Sequence, residues 1–197
     1  MSISEMTRRP VVYPELLKMT EEVGFTMPSD VSIGNLLQTL ITSKPNGIFL
    51  ELGTGTGLSL AWMLEGMQLE SKVTSLDNDE RLIQLVENAF ENESKLKLLC
   101  VDGGEWISEY KGEGFDLIFA DTWAGKYTHL EKTLSMVKSG GYYVIDDMNP
   151  QPNWPDGHEE KAKQLVETLE KREDFTITKL DWSTGIIIAV KKSNYGK

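Results

Sequence analysis

Residues 47–57 read GIFLELGTGTG, and this stretch decides the fold. A short apolar run leads through Glu51 into glycines at positions 53, 55 and 57, and the helical pattern LSLAWMLEGM follows. Glycine is favoured where the backbone must adopt a positive φ or approach a ligand closely. A helix that begins beside such a loop directs unpaired N–H groups and the positive end of its dipole at the ligand. The stretch therefore predicts a strand, a tight turn and a helix, with a ligand bound against the turn.

The spacing of these glycines distinguishes between two kinds of cofactor. A dinucleotide-binding turn has the form G-x-G-x-x-G, whereas residues 51–57 have the form E-x-G-x-G-x-G. Leu58 and Leu60 stand where the third glycine of the dinucleotide form would have to be. The observed form resembles the first motif of the class I S-adenosylmethionine-dependent methyltransferases, whose glycine loop lies against the methionine part of the cofactor. A structural glycine turn after a buried strand is the alternative interpretation.

Composition limits the class of protein and its partners. A chain of 197 residues is typical of one domain, here residues 1–197, with a sizeable core. The net charge of −11 disfavours a nucleic-acid partner, because proteins that bind phosphate usually carry excess positive charge, and it favours a small-molecule substrate. The single Cys100 cannot form an internal disulfide and lies in a strand-like run, so we expect a buried thiol in a reducing compartment.

The sequence also bears on location. No apolar run approaches the length of a membrane span, and the N-terminus lacks the apolar core of a signal peptide. We therefore expect a cytoplasmic protein with no membrane partner.

Short apolar runs alternate with helical patterns along the chain. The runs that predict strands are residues 48–52, 73–76, 96–101, 115–120 and 142–145, and the helical patterns between them are residues 58–67, 80–91, 105–110 and 126–137. This alternation is typical of a parallel sheet with helices on both faces. Two last strands, residues 175–180 and 185–190, have a short connection that predicts an antiparallel hairpin.

The order of these elements matches the resembled family. That family has a Rossmann-like α/β fold, in which a seven-stranded, mostly parallel sheet ends in an antiparallel C-terminal hairpin. We predict this fold, with helices in residues 1–46 and the Rossmann-like core in residues 47–192.

Polar side chains follow the predicted parallel strands, at the edge where an open α/β sheet binds its ligand. Asp77 comes 24 positions after Gly53 (77 − 53), the spacing at which a carboxylate meets a ribose. The resemblance implies that the adenine lies near Asp102 and that the helix beginning at Ser32 lies near the cofactor's carboxylate. Helix capping is the alternative role for Ser32 and for the residues after Asp77. The predicted cofactor-binding residues are Glu51, Gly53, Thr54, Gly55, Gly57, Ser59, Asp77, Asn78, Asp102, Gly103, Asp121 and Ser32.

Two further motifs concern the substrate. FADTWAGKY at residues 119–127 and VIDDMNP at residues 144–150 resemble the catechol and caffeoyl-coenzyme A type O-methyltransferases. The resemblance implies that Asp121, Asp146 and Asp147 hold Mg²⁺ or another divalent cation. Converging carboxylates repel one another, and a hard cation relieves that repulsion and makes a bound hydroxyl more acidic. A solvated strand end with helix capping is the alternative for Asp146 and Asp147.

This pattern has two departures from the family. Asp147 stands where the family has Asn, and Ala124 stands where the catechol type places its catalytic Lys. Lys126 is the candidate to take over that role, so we predict Asp121 and Lys126 as catalytic residues.

Four ring-bearing side chains near these motifs need an interpretation as well. His129 falls within a helical pattern and His158 at the start of another, and we interpret both as polar surface residues. Trp123 and Trp154 are candidates for lining the substrate site, because Trp154 lies in a Pro-rich loop that leaves a catalytic strand end.

Together these patterns predict an S-adenosylmethionine-dependent O-methyltransferase. Its acceptor is a small hydroxylated, aromatic molecule, its second cofactor a divalent cation, and a homodimer is compatible with the resemblance. A methyltransferase of the same fold acting on hydroxyuridine in transfer RNA is one alternative, although the net charge opposes it. A non-catalytic cofactor-binding domain is suggested by the missing Lys, and a nicotinamide oxidoreductase is opposed by the glycine spacing.

Overall fold

The structure of the protein is a computed structural model that describes residues 6–152 and 154–193. The strands are β1 (Ile48–Leu52), β2 (Lys72–Asp77), β3 (Leu96–Cys100), β4 (Phe115–Ala120), β5 (Val137–Ile145), β6 (Phe175–Leu180) and β7 (Ile186–Lys191). The helices are α1 (Tyr13–Glu22), α2 (Val31–Thr42), α3 (Leu58–Gly66), α4 (Glu80–Ala89), α5 (Gly103–Glu109), α6 (Leu130–Ser135) and α7 (His158–Glu170).

The strands form one sheet in the order β3-β2-β1-β4-β5-β7-β6. Strand β1 pairs in parallel with both β2 and β4, so the strand order reverses between β1 and β4. The last strand of the chain, β7, pairs antiparallel with both β5 and β6. The predicted fold is thereby confirmed: a mostly parallel seven-stranded sheet with a C-terminal antiparallel hairpin.

Both faces of the sheet are covered by helices, as predicted. Successive residues of β1 point to opposite faces, since Phe49 packs with α2, α3 and α4 while Leu50 belongs to the cluster that includes α5, α6 and α7. Helix α1 packs against α3, where Leu16 contacts the cluster around the buried Trp62. Burial on both faces explains why the parallel strands read as continuous apolar runs.

The predicted helix at residues 126–137 is wrong for its first four residues and its last two. Helix α6 begins only at Leu130, because Gly125 (φ 87°) and His129 (φ 59°) adopt left-handed backbone conformations that a helix cannot contain. Strand β5 starts earlier than predicted, at Val137, and its pairing with β4 shifts register between Phe115 and Leu117.

The predicted burial of Cys100 is also wrong. Its side chain is exposed, because β3 lies at the edge of the sheet and covers less of its surface than a central strand does. In the part of the chain that the structure describes, no helix is both long enough and apolar enough to span a bilayer.

Candidate functional site

The glycine loop connects β1 to α3 as the sequence predicts. Gly53, Gly55 and Gly57 have φ angles of 96°, 54° and 83°, in the region that favours glycine. A Cβ at Gly53 would lie 2.9 Å from the carbonyl oxygen of Asp121, so the loop also passes very close to the end of β4. The glycines therefore bring the loop against the sheet edge at the point where the strand order reverses.

Glu51 lies beneath this loop, fully buried. Its carboxylate accepts hydrogen bonds from Ser59 Oγ at 2.7 Å and from Ser75 Oγ at 2.5 Å. Burial raises the pKa of Glu51 to about 7, and the two serine hydrogen bonds oppose that shift. Thr54 Oγ1 lies 2.6 Å from Ser75 Oγ and extends the network into the loop. Glu51 and Ser59 thus tie the loop, β1, β2 and α3 together from below.

A first cavity, of about 280 Å³, lies above the loop and is called the loop cavity here. Asp77 lines it, and its Oδ2 accepts a hydrogen bond from the backbone N–H of Gly55 at 2.9 Å. Its Oδ1 accepts one from the N–H of Asp79 at 3.0 Å. Asp77 is only partly buried, so its carboxylate fixes the loop and still faces the cavity. The predicted residues that line this cavity are Gly53, Thr54, Gly55, Asp77, Asn78 and Asp121.

A second cavity, of about 440 Å³, continues from Asp77 and Asn78 to Asp102 and Gly103 and is called the Asp102 cavity. The carboxylate of Asp102 caps α5 by accepting from the N–H of Glu105 at 2.9 Å. His129 also lines this cavity. It precedes the first residue of α6, so its predicted place within a helix is wrong, whereas its predicted exposure at the surface is confirmed.

Helix α5 borders the Asp102 cavity and packs closely against its surroundings. A Cβ at Gly104 would lie 2.8 Å from the His129 ring, so the two residues pack closely. Trp106 stacks on Tyr110 at a centroid distance of 4.6 Å and packs against the core. Trp106 therefore packs with the core and is not among the residues that line this cavity.

The start of α2 places Ser29, rather than Ser32, at the cavities. Asp30 caps the helix, accepting from the N–H groups of Ser32 and Ile33 at 2.7 and 3.0 Å, and Ser32 lies in the first turn. Ser29 lines the loop cavity and donates to Asp121 Oδ2 at 3.1 Å. The sequence gives no sign of this role for Ser29, because a contact between residues 29 and 121 leaves no local pattern.

A third cavity, of about 280 Å³, lies beyond Asp121 and is called the aromatic cavity. One part of its wall is acidic and contains Asp121, Asp146 and Asp147 together with Lys126. The rest is largely aromatic and contains Trp123, Tyr127, Trp154 and His158. Asp121, Asp147, Thr122 and Ser29 line both this cavity and the loop cavity, so the two spaces meet at the end of β4.

His158 lies at the centre of the aromatic wall, and its interpretation as a polar surface residue is wrong. Its side chain is 8% exposed, and its Nε2 lies 3.0 Å from the Tyr127 hydroxyl. The rings of Trp154 and Trp123 lie 4.3 and 5.4 Å from the imidazole, centroid to centroid. Burial and the nearby charge of Lys126 lower the pKa of His158. Gly157, with φ 79°, forms the turn that leads into α7.

The acidic wall combines buried carboxylates with a buried ammonium group. Burial raises the pKa of Asp146 to about 6, while a hydrogen bond from the Thr184 hydroxyl lowers it. Burial also raises the pKa of Asp121 well above its usual value, and the charge of Lys126 opposes this. The Lys126 side chain is 4% exposed. The wall therefore places a buried ammonium group and three carboxylates in one cavity.

These carboxylates have the chemistry that suits a divalent cation, but their arrangement does not fit one. In residues 6–152 and 154–193, no group of three or more His, Cys, Asp or Glu side chains is placed so that it could hold a metal ion. Asp146 Oδ1 accepts hydrogen bonds from the Thr184 hydroxyl and from the Asp147 N–H, and Asp121 Oδ2 accepts from Ser29. The observed geometry therefore does not support the predicted divalent cation.

Comparisons with known proteins bear on this site. The sequence model of a family described as O-methyltransferase matches residues 3–192. A predicted O-methyltransferase of Mycobacterium leprae is 28% identical over 106 residues, which cover 52% of this chain and 47% of that protein. The chain thus spans about half the length of this curated relative.

Solved structures share the fold over nearly the whole chain. An O-methyltransferase from Bacillus cereus, solved in complex with SAH, has a TM-score of 0.80 and 20% identity, covering 94% of this chain and 92% of that one. The O-methyltransferase TomG from Streptomyces achromogenes, involved in tomaymycin synthesis and solved in complex with SAM, has a TM-score of 0.81 and 16% identity, with the same coverage of 94% and 92%. At these identities the likeness shows a common fold.

Proposed function

Since this chain belongs to the O-methyltransferase family, we propose that it transfers the methyl group of S-adenosylmethionine to a hydroxyl oxygen of a small aromatic acceptor. The membership confirms the resemblance that the glycine loop and the two acidic motifs indicated. The acceptor class and the roles of individual residues are parts of the proposal.

One observation carries the proposal: the loop cavity and the aromatic cavity meet at Asp121. A methyl donor and an acceptor that react directly must approach to near contact distance in line. Two cavities of different chemistry that share a wall provide such an arrangement. Glycine backbone and the Asp77 carboxylate line one of them, and aromatic rings line the other.

The loop cavity and the Asp102 cavity suit the nucleoside part of the cofactor. The partly buried carboxylate of Asp77 can accept hydrogen bonds from both ribose hydroxyls. A hydrogen bond to a charged acceptor contributes about 1.5 to 3 kcal/mol to binding. The Asp102 cavity, bounded by Gly103 and the His129 ring, has room for a planar base. The methionine part then lies over the glycine loop, with its sulfonium directed toward Asp121.

The aromatic cavity suits a planar acceptor. Its volume of about 280 Å³ is near the lower end of the range for small-molecule sites. Trp123 and Trp154 offer ring surfaces, and aromatic pairs gain about 0.5 to 1.5 kcal/mol beyond the burial of their area. This wall also includes Tyr127, whose hydroxyl forms a hydrogen bond with His158 Nε2 at 3.0 Å. A small hydroxylated ring is therefore the acceptor class that we propose.

The reaction needs few protein groups, because the sulfonium already activates the methyl group. Asp121 lies where the cavities meet, so we assign to it the hydrogen bond that orients the acceptor hydroxyl and receives its proton. The ammonium of Lys126 stabilises the negative charge that develops on the attacking oxygen. The methyl group then passes from sulfur to oxygen, leaving the neutral thioether product.

Calorimetric titration with S-adenosylmethionine tests the cofactor half of the proposal. We expect D77N to weaken binding on the order of 10-fold to 100-fold, because the amide keeps the shape of the carboxylate and loses its charge. E87Q is the matched control, since Glu87 is exposed on α4. Absence of binding to the wild type, or equal affinities of wild type and D77N, would contradict the proposal.

A panel of phenols and catechols, with the thioether product measured, tests the acceptor half. We expect turnover of at least one catechol or phenol by the wild type. A protein that binds the cofactor tightly and methylates no acceptor would instead support the non-catalytic cofactor-binding domain. Turnover of transfer RNA alone would support the nucleic-acid alternative, which the net charge of −11 opposes.

Three expectations stay predictions from the sequence. They are a single domain over residues 1–197, a cytoplasmic location and a homodimer. The residues assigned above to the cofactor, the acceptor and the proton transfer belong to the proposal as well.

A further inference from the structure

The acidic wall of the aromatic cavity contains its own cation. Asp121, Asp146 and Asp147 line the cavity together with Lys126, whose side chain is 4% exposed. A buried ammonium group is costly unless negative charge compensates for it. The three carboxylates provide that compensation, and Lys126 in turn relieves their mutual repulsion.

The backbone fixes Lys126 in this position. Residues 123–128 form a tight turn in which Gly125 N–H donates to the Thr128 carbonyl at 2.8 Å and Tyr127 N–H donates to the Trp123 carbonyl at 2.9 Å. The carbonyl of Gly125 accepts a hydrogen bond from the fully buried Tyr143 hydroxyl of β5. The turn is thus anchored to the sheet, and the Lys126 side chain enters the cavity from a rigid support.

Position 124 cannot supply this charge. Ala124 lines the Asp102 cavity, and its Cβ lies 3.0 Å from the place that a Cβ on Gly103 would occupy. A side chain at position 124 in this backbone therefore lies on the cofactor side of the turn. A side chain at position 126 lies on the acceptor side, so the two positions are not interchangeable.

Two of the three carboxylates, those of Asp121 and Asp146, accept hydrogen bonds from protein donors. Ser29 donates to Asp121, while the Thr184 hydroxyl and the Asp147 N–H both donate to Asp146 Oδ1. Among residues 6–152 and 154–193 no three acidic, His or Cys side chains are grouped to hold a metal ion. These hydrogen bonds occupy Asp121 Oδ2 and Asp146 Oδ1, two of the oxygens for which a cation between the carboxylates would have to compete.

We propose that the Lys126 ammonium stands in place of the divalent cation, so that methyl transfer by this protein needs no divalent metal. This inference deepens the proposed function and rests on it. The ammonium provides the positive charge next to the attacking oxygen, as a metal would, but it has no open coordination position for the acceptor. The acceptor is therefore held by hydrogen bonds and ring contacts. An acceptor with a single hydroxyl is sufficient, whereas binding to a metal would favour an acceptor with two neighbouring hydroxyls that chelate it.

Three measurements on the wild-type chain test this inference. We expect S-adenosylmethionine binding, thermal midpoint and turnover of a mono-hydroxylated phenol to be the same, within about 2-fold for the affinity and the rate, in EDTA and in millimolar Mg²⁺. Loss of turnover in EDTA with recovery in Mg²⁺ would overturn the inference. So would a thermal midpoint of the wild type that rises with Mg²⁺ concentration, since a ligand that binds the native state stabilises it.

The variant K126M removes the charge and keeps most of the length of the side chain. We expect it to lower kcat at least about 10-fold while the affinity for S-adenosylmethionine stays within a few-fold, because Lys126 lies on the acceptor side. K163M is the matched control, since Lys163 is exposed on α7 and lies away from the aromatic cavity. We expect K163M to keep the wild-type kcat, and a K126M variant with wild-type kcat would overturn the inference.

The outcomes also separate this inference from the proposed function. A wild-type chain that binds no S-adenosylmethionine contradicts the proposed function, and the Mg²⁺ dependence of its thermal midpoint still decides whether the acidic wall holds a metal. A chain that binds and transfers the methyl group only with Mg²⁺ keeps the proposed function and overturns the inference.

Discussion

Replacement of Glu51 by Gln tests whether ionisation of this buried carboxyl group, in the network beneath the glycine loop, lowers the stability of the folded protein. Glu51 is fully buried, and burial raises its pKa from 4.5 to about 7. The folded protein therefore binds the Glu51 proton more tightly than the unfolded chain does. The Gln side chain has nearly the same shape and does not titrate, and it can accept from one of the two serines through Oε1 and donate to the other through Nε2.

The expected size of the effect follows from this pKa difference. The difference between a pKa of 4.5 and one of about 7 corresponds to about 3 kcal/mol of unfolding free energy. Because the folded pKa is the higher one, this stability is fully present below the unfolded pKa and is lost as pH rises through the folded pKa. The contribution of Glu51 to the free energy of unfolding therefore falls between about pH 4.5 and pH 7.

Urea unfolding of wild type and E51Q, followed across this pH range, measures the difference. Other titrating groups act in both proteins, so the difference in free energy of unfolding isolates Glu51. We expect E51Q to gain about 3 kcal/mol relative to wild type from the acid end of the range to the alkaline end. E87Q, which changes an exposed residue of α4, provides the control. A difference between E51Q and wild type that does not change with pH would refute the reasoning.

Two further predictions concern the loop and the aromatic wall. Gly57 (φ 83°) and Gly140 (φ 73°) are both left-handed, and each substitution by Ala costs about 1 to 2 kcal/mol of unfolding free energy. A Cβ at Gly57 lies 3.2 Å from Val86, whereas a Cβ at Gly140 meets no described atom within 4 Å, so urea unfolding should show G57A as the less stable variant. W154A removes the ring that lies 4.3 Å from His158, and we expect a several-fold rise in KM for the aromatic acceptor. Its affinity for S-adenosylmethionine, measured by calorimetry, should stay unchanged, and a loss of that affinity would contradict the assignment of Trp154 to the acceptor side.

The sequence predicted those features of the site that depend on local backbone. Three glycines at alternate positions are typical of a loop with positive φ angles, and the structure has such angles at Gly53, Gly55 and Gly57. Asp77 follows β2 at the expected spacing, and its contact with the N–H of Gly55 joins the two predicted elements. The strands themselves were recognisable because burial on both faces demands continuous apolar runs.

Features that depend on contacts between distant segments were not predictable from one sequence. His158 reads as a lone polar residue at a helix start, and only the packing of Trp123 and Tyr127 from a segment about 30 residues earlier turns it into part of a wall. His129 adopts a positive φ without a glycine to signal it, so the predicted helix began too early. The cap of α2 is Asp30 rather than Ser29 or Ser32. The sequence could not distinguish them, because all three residue types can cap a helix and the choice depends on the backbone angles at one position.

The charge of the acidic wall also affects which form of the cofactor binds more tightly. The cofactor carries a positive sulfonium before transfer, and the thioether that remains afterwards is neutral. Asp121, Asp146 and Asp147 outnumber Lys126, and the wall stays net negative even when one carboxylate is protonated. A net negative, partly buried wall attracts the sulfonium more strongly than the thioether, because the interaction between charges is weakly screened there. The carboxylates therefore favour binding of the methyl donor over retention of its product, and this preference does not require a metal.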